Sequence, residues 1–329
     1  MTKSKRVLEL EARVQAGESL ASIALDGEVL RNVDLSGADL SGASMVGCVL
    51  IEATLDDCNL AGADLSFCDL SRASLNGTRL QSANLSSATL AGTAFYPDDA
   101  AGMSLQGARL LGPVGSFAML QPSQLSGATL DNVDLHGARW TDARMSGMHF
   151  VGCDLTAASL VGSDFSKCVL THSDFRGATL TNASFRGASC ICTDFGGARM
   201  TGTNFSGATA TAVLMMRCDL TSSDLSECDL TGAVFSQSLL AECRLTQSML
   251  LDALLIGAQA PRASFLRAQL RNADLSYLDA RAADFRQADL SGSNMHAMLK
   301  DEADLTLAVL AGARPTDPAR LAAEQWKPR

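Results

Sequence analysis

The sequence is poor in aromatic residues, poor in charge and without long apolar runs. Aromatic residues make up 5% and charged residues 19% of the 329 positions, whereas about a quarter of an ordinary globular domain is charged. The hydrophobic fraction of 47% therefore consists mainly of small and aliphatic side chains, which predicts a narrow, regular core. No apolar run reaches the roughly 18 residues of a membrane-spanning helix, and the charged N-terminal residues do not fit a signal peptide. We expect a cytoplasmic protein; secretion by a route that needs no signal peptide also fits.

Positive charge is scarce relative to negative charge. There are 26 Lys and Arg residues against 36 Asp and Glu residues, so the formal net charge is −10. A chain with this charge is repelled by the phosphate backbone of nucleic acids and by anionic membrane surfaces. The balance argues against direct binding to nucleic acid or to a membrane and leaves a protein as the expected partner.

The motifs of common catalytic sites are missing from the sequence. It contains no GxxxxGK phosphate loop, no GxSxG nucleophile elbow and no HExxH zinc motif. The four histidines, His136, His149, His172 and His296, have no zinc-like spacing, and we expect them at the surface. We therefore predict no enzyme activity, no metal and no cofactor.

A repeat with a period of five residues fills most of the chain. Segments such as VDLSGADLSGASM and CNLAGADLSFCDLSRASL place a large apolar residue at every fifth position, from Leu25 to Leu310. The exceptions in this series are Ala100, Gly115, Cys190, Ala210, Ala260, Ala280 and Lys300. We call the large residue the centre of its unit; the residue two positions earlier is usually Ala, Cys, Ser or Thr. Neither a helix nor an ordinary strand has this period.

The spacing of phenylalanine predicts how the units stack. A chain that turns after every unit and returns above itself after four units forms a square coil of about 20 residues, with coils about 4.8 Å apart. Phe165, Phe175, Phe185, Phe195 and Phe205 then lie on two opposite walls, and smaller centres line the other two. Such an alternation fills a narrow square interior without voids.

These units resemble the A(D/N)LXX repeats of the pentapeptide-repeat family. The resemblance covers residues 25–310 and implies an all-β solenoid, a right-handed quadrilateral parallel β-helix, here of about 14 coils at one coil per 20 residues. It implies no catalytic residues. From the resemblance together with the terminal segments and the departures from the repeat described below, we predict an N-terminal helical cap over residues 1–22, the β-helix over residues 23–312, irregular or looped at 94–124, and a C-terminal helical cap over residues 313–329.

Both ends carry short amphipathic segments. Val7, Leu10 and Val14 have helical spacing before Gly17, which predicts a helix over the first coil. Asp317 and Pro318 are typical of a helix start, and we expect the following helix to place Trp326 over the last coil. The alternative, by analogy with gyrase-protecting members that the chain resembles, is a homodimer formed through a terminal helix.

Most of the ten cysteines fall at the small position of a unit. These are Cys48, Cys58, Cys68, Cys153, Cys168, Cys218, Cys228 and Cys243. We predict that they are buried structural thiols, that Cys190 occupies a centre and that only Cys192 points outward.

Residues 20 apart should form vertical columns on the outer surface, and one column is unusual. It begins with an acidic ladder, Asp134, Asp154, Asp174 and Asp194. The same column continues with Leu214, Val234 and Leu254, and Met216 and Ile256 lie two residues further on. We call these five residues the apolar patch. A patch of this kind on a polar surface indicates an interaction site, unless a loop of the same chain covers it; the ladder either binds a basic partner or satisfies turn hydrogen bonds.

The region 94–124 departs from the repeat. We expect bulges or outward loops there, with Asp98 at an inward position. Tyr96, Phe117 and Met119 would then be exposed and form a second candidate surface.

Three functions remain open at this point. The first is a protein-binding scaffold or adaptor, because the opening AGESLASIALDGEVLRNVDL resembles stand-alone repeat proteins that accompany bacterial secretion systems of the type VI kind. The second, favoured by the acidic surface, is a DNA mimic that binds gyrase or another topoisomerase. The third is an effector translocated into another cell.

Overall fold

A computed structural model describes residues 3–112, 114–115, 117–118 and 120–326. Its regular elements are few and short. They are α1 (Lys5–Gln15), β1 (Ala94–Phe95), β2 (Arg109–Leu111), β3 (Val114–Gly115), a 3₁₀ helix (Pro122–Leu125), β4 (Thr129–Asp131), β5 (His149–Val151) and α2 (Pro318–Gln325). β1 pairs with β3, and β4 lies between β2 and β5; all of these pairs are parallel. No helix among these residues is long and apolar enough to cross a membrane.

Outside these strands the chain forms parallel bridges between residues that are 20 apart, beginning with Ala24 and Ser44 and ending with Asn294 and Arg314. Four five-residue units therefore complete one coil, as the sequence predicted. The backbone hydrogen bonds explain the period. In one unit, Leu35 N–H donates to Thr54 O at 2.9 Å and Gly37 N–H to Asp56 O at 2.8 Å in the next coil. Ala38 N–H closes the turn by donating to Leu35 O at 2.9 Å.

The chain divides into two compact units, one of Met1–His136 with Met148–Asp154 and one of Gly137–Gly147 with Leu155–Arg329. The first contains α1 and all five strands. The second contains the phenylalanine series, the apolar patch and α2.

The phenylalanine series fills the interior of the second unit as predicted. Phe165 stacks on Phe185 in the same wall, with ring centroids 5.1 Å apart and an interplanar angle of 3°. Across the interior, Phe165 meets Phe175 edge to face at 5.8 Å and 85°. Stacking along a wall and edge-to-face contact between walls are both favourable aromatic geometries, so a regular alternation of Phe suffices to fill the space.

The cysteine predictions are confirmed. The eight cysteines at small positions and Cys190 are buried, and Cys192 is exposed. The structure adds a reason for polar atoms at the small position: the Cys58 thiol lies 3.0 Å from Leu35 O and the Thr93 hydroxyl 2.8 Å from Leu70 O, each a carbonyl 23 residues earlier. A buried thiol or hydroxyl at this position is therefore satisfied by the coil above it.

The structure corrects the interpretation of region 94–124. Phe117 is fully buried, not exposed, and its ring stacks on Phe95 with centroids 4.9 Å apart. It enters the interior because Gly115, paired with Phe95, brings no side chain there. Asp98 is exposed, and its neighbour Pro97 takes the inward place. Tyr96 is 50% exposed, whereas Met119 lies outside the described residues.

α1 contacts the first coils closely. Ser4 accepts the N-terminal hydrogen bond of the helix from Val7 N–H, and the side chains of Val7 and Leu10 are buried. Glu11 Oε1 accepts the backbone N–H of Asp34 at 2.8 Å. In deeper coils the N–H at this position donates to a carbonyl 21 residues earlier, as from Thr54 to Val33. The carboxylate therefore replaces a missing coil at this edge.

The expectation for Trp326 was wrong. Its side chain is 73% exposed, and α2 contains no buried residue. The helix is instead fastened beside Tyr277 and His296 by its Glu324 side chain. A polar contact at one side of the helix leaves Trp326, which follows the last helical residue, outside the packed region.

Candidate protein-binding surface

The predicted column exists in the second unit as an unbroken series of parallel bridges. Asp174 pairs with Asp194, Asp194 with Leu214, and the bridges continue from Leu214 in the same way. The further members are Val234, Leu254, Asp274, Asn294 and Arg314. Three apolar side chains thus lie in consecutive coils between aspartates. The backbone N–H groups of these three residues already donate hydrogen bonds to the preceding coil.

The side chains of the patch are unequally exposed. Met216 is 44% and Leu254 37% exposed, whereas Leu214, Val234 and Ile256 are half-buried. Leu239, 39% exposed, adds apolar surface on the neighbouring wall. Within the described residues of the second unit, α2 is the only helix. Its Glu324 side chain contacts Tyr277 and His296 and not the apolar patch.

In the acidic ladder, Asp134 is bridged to Asp154 in the first unit and Asp174 to Asp194 in the second. Asp134, Asp174 and Asp194 each accept the backbone N–H two residues later, at 2.8 to 2.9 Å. This is the turn geometry that favours Asp before a centre. The ladder therefore has a structural role in each of these units.

Arg176 neutralises part of the ladder. Its Nε lies 2.8 Å and its Nη2 2.5 Å from Asp174 Oδ2, and its Nε lies 3.9 Å from Asp194 Oδ2. Partial burial alone would raise the pKa of Asp174, but the hydrogen bonds and positive charge of Arg176 hold it below its ordinary value. The surface here is a mixture of paired charges and not a continuous line of carboxylates.

A groove borders the patch where the outer column contains Gly196. It has a volume of about 590 Å³ and lies between Arg176 and Met216, with Asp194 and Arg217 at its sides. This groove was not predicted from the sequence; the available signal was Gly196, in a column whose neighbouring members Arg176 and Met216 carry long side chains.

A polar cluster at α2 was also missed, because His296 was expected at the surface. His296 is 2% exposed. Its Nδ1 accepts Asp317 N–H at 3.2 Å, so Nε2 carries the proton and donates to Glu324 at 3.2 Å. Tyr277 and Arg320 donate to the same carboxylate at 2.5 and 2.7 Å, and α2 is thereby held by side-chain hydrogen bonds. The other histidines, His136, His149 and His172, are exposed as predicted.

The last coil near α2 remains open. Leu299, Leu307, Val309 and Leu310 are 46 to 74% exposed. Among the described residues, no three His, Cys, Asp or Glu side chains are grouped so that they could hold a metal ion.

Several solved structures are similar to this chain. HetL, a pentapeptide repeat protein involved in heterocyst differentiation regulation in the cyanobacterium Nostoc, is 20% identical over 95% of this chain and 97% of its own, with a TM-score of 0.23. A pentapeptide repeat protein of the Arabidopsis thaliana thylakoid lumen is 34% identical over 32% of this chain and 70% of its own, with a TM-score of 0.23. QnrB1, a plasmid-mediated fluoroquinolone resistance protein, is 17% identical over 59% of this chain and 93% of its own, with a TM-score of 0.25. No curated protein matches the chain.

The family model for pentapeptide repeats matches in eight copies. They cover residues 29–66, 58–95, 123–158, 149–187, 180–215, 198–237, 238–276 and 268–297. These matches include most of the coils described above and both walls that carry the phenylalanine series. The chain therefore belongs to the pentapeptide-repeat family.

Proposed function

We propose that the protein is a non-enzymatic scaffold that binds another protein through the apolar patch. The observation that carries this proposal is the succession of Leu214, Val234 and Leu254 in a column whose other members in this unit, such as Asp194 and Asp274, are polar or charged. An outward Leu stabilises the coil less than an inward Leu, because much of its apolar area stays in water. A partner that covers the patch would bury this area.

The finer role is an accessory of a bacterial secretion system, an expectation that the N-terminal repeat sequence supports. A DNA mimic that binds a topoisomerase is supported less well, because Arg176 pairs with Asp174 in the middle of the acidic ladder. Duplex DNA carries one negative charge per about 1.7 Å of its axis, and a paired ladder imitates it poorly. A translocated effector would use the same patch.

The exposed apolar side chains of the last coil favour a second copy of the chain as a further partner. Leu307 is 74%, Val309 49% and Leu310 46% exposed at the last coil. A coil edge that presents unpaired backbone groups beside apolar side chains is a surface that oligomers commonly cover. We propose a homodimer through this end, separate from the patch.

The experiment compares partner binding by the wild-type chain and by a Leu214→Asp/Leu254→Asp variant. The tagged proteins are incubated with bacterial lysate, bound proteins are identified by mass spectrometry, and each one is purified and titrated directly. The matched control is Thr209→Asp/Gln269→Asp, which introduces the same charges at two exposed positions. Like Leu214 and Leu254, these residues directly precede the centre of their units. We expect the patch variant alone to lose binding; equal affinity of all three proteins would refute the proposed surface.

Two further measurements separate the alternatives. Inhibition of gyrase supercoiling by the purified wild-type protein would favour the DNA mimic, and its absence at micromolar concentration would remove it. Sedimentation equilibrium of wild type and Leu310→Lys tests the homodimer. A wild-type dimer that becomes a monomer in the variant supports it, whereas a wild-type monomer refutes it.

A further inference from the structure

The groove at Gly196 exists because one outer column lacks a side chain. Glycine is not required there by the backbone, since Gly196 is outside the left-handed region, unlike Gly197 with its φ of 70°. A Cβ at Gly196 would lie 3.0 Å from Asp194 Oδ1 and 3.7 Å from Arg176 Cγ. Both are side-chain atoms: Asp194 Oδ1, which also accepts the Gly196 N–H at 2.8 Å, would have to shift slightly, whereas the distance to Arg176 Cγ is an ordinary contact. The fold therefore tolerates a larger residue at position 196. Because glycine has no side chain, a groove is left at this position.

The walls of the groove suit an apolar side chain. Arg176 Cγ lies on one side, so the methylene groups of this arginine face the groove while its guanidinium is bound to Asp174. Met216, 44% exposed, forms the other side and belongs to the apolar patch. A thioether chain adapts to differently shaped partners, and about 590 Å³ lies within the range of about 300–1,000 Å³ typical of ligand pockets.

Arg217 supplies a charge at the rim. Its Nε donates to Gln237 Oε1 at 3.0 Å, a neutral acceptor. Arg217 forms no ion pair within the part of the chain that the structure describes, in contrast to Arg176, Arg244 and Arg262, which pair with carboxylates. An arginine held by a neutral amide beside an apolar groove attracts an anionic group, and a carboxylate can bind its guanidinium in a bidentate manner.

We propose that this groove recognises a linear segment of a partner protein, with an apolar side chain seated at Gly196 and an Asp or Glu of the same segment bound to Arg217. The inference rests on the proposed function, because the groove continues the apolar patch at Met216. It adds the chemistry of the partner. A Leu, Met or Phe side chain fills the place that a side chain at position 196 would take, and the acidic residue fixes the direction of the segment.

The test selects peptides from a random 12-residue library displayed on phage, using the purified full-length chain. Selected peptides are then synthesised and titrated by fluorescence anisotropy. We expect them to share an apolar residue within a few positions of Asp or Glu. Filling the groove in Gly196→Leu should weaken binding at least about tenfold, the ratio for loss of one well-packed contact, whereas Ser206→Leu, at the same position of another unit, should leave affinity unchanged.

Charge reversal gives a readout that loss of folding cannot imitate. Arg217→Glu should lose the acidic peptides and select peptides with Lys or Arg in place of Asp or Glu. Selected peptides without an acidic residue, no enriched peptide at all, or equal affinity of Gly196→Leu and wild type would each overturn the proposal. So would a wild-type dimer that Gly196→Leu converts to a monomer, because the occupant would then be a second copy.

The same peptides separate this inference from the proposed function. Binding lost in Leu214→Asp/Leu254→Asp and kept in Gly196→Leu would leave the apolar patch as the binding surface and refute the groove. Binding lost in Gly196→Leu and kept in the double variant would support the groove and refute the patch as the main contact.

Discussion

Phe117 lies face to face with Phe95 inside the coil, with ring centroids 4.9 Å apart and an interplanar angle of 14°. The contact compensates for Gly115, which pairs with Phe95 where other units have a large centre. A Cβ at Gly115 would come within 2.1 Å of Phe95 O. The irregular segment thus keeps the interior filled by moving the large side chain two residues along the chain.

Replacing Phe117 with Ala should destabilise the first unit strongly. The substitution empties a place that the backbone of Gly115 cannot refill, and removal of a buried Phe typically costs about 3–5 kcal/mol. Hydrogen exchange of the amides in residues 94–125 should show the loss as faster opening. Tyr96→Ala is the control: its side chain is 50% exposed, and we expect a change of about 0.5 kcal/mol or less. Similar effects of both substitutions would contradict the buried position of Phe117.

The regular coils could be predicted from the sequence because their period is a property of the backbone. Every unit makes the same hydrogen bonds to the next coil, so residues 20 apart stack whatever their side chains, as Asp194 and Leu214 do. The irregular segment could not be predicted in the same way. Its register depends on which residue enters the interior, and arithmetic assigned Asp98 inward where Pro97 is buried.

The candidate site was predicted only in part for a similar reason. The spacing of 20 residues predicts which side chains are neighbours in a column, and it correctly predicted that the apolar patch adjoins the acidic ladder. The groove could not be predicted in this way, because it results from an absent side chain at Gly196. The same holds for the hydrogen-bonded cluster around Glu324 that holds α2, which we call the latch. His296 lies two residues from the Asn294 bridge position, and its ring nitrogens contact Asp317 and Glu324. These long-range contacts have no signal in the repeat.

The buried cysteines should be unreactive in the folded protein. Burial raises the pKa of Cys58 and Cys218 to about 12, so their nucleophilic thiolates are nearly absent at neutral pH. A hydrogen bond with Cys68 instead lowers the pKa of Cys48, and this thiol is protected by its complete burial. Iodoacetamide should add a single group per chain, at Cys192, and ten groups after denaturation. Peptide mass spectrometry locates the modified residues. Rapid alkylation of Cys58 in the native protein would show that this part of the coil opens readily.

Removing the Glu324 carboxylate should release α2. Hydrogen bonds from Tyr277, then Arg320 and His296, hold the pKa of Glu324 at about 2, below its ordinary 4.5. Because this pKa is lowered, the ionised Glu324 carboxylate stabilises the docked helix. This stabilisation is fully present above pH 4.5 and is lost as the pH falls through about 2. In Glu324→Gln, amides of Pro318–Gln325 should exchange faster at pH 7, and trypsin should cleave sooner after Arg320.

The matched control for this latch is Glu302→Gln, which removes an equal charge from an exposed position near the last coil. We expect unchanged exchange in α2. If Glu302→Gln and Glu324→Gln accelerate exchange equally, net charge and not the hydrogen-bonded cluster holds the helix. If neither does, α2 is held by contacts other than those of Glu324.

Glu11 should matter more for the first coils than any other acidic residue of α1. Its carboxylate accepts Asp34 N–H at 2.8 Å and Lys3 Nζ at 2.5 Å, so it satisfies a backbone donor that has no coil above it. Leaving such a donor unpaired costs about 1–3 kcal/mol when it is shielded from water. Glu11→Ala should therefore increase exchange of the Asp34 amide by at least about fivefold. Glu9→Ala, which breaks an exposed ion pair with Arg6, should leave that amide unchanged, because surface pairs contribute about 0–1 kcal/mol. Equal exchange at Asp34 in both variants would mean that Val7 and Leu10 alone hold the helix, and that the open backbone edge of the first coil is satisfied by water.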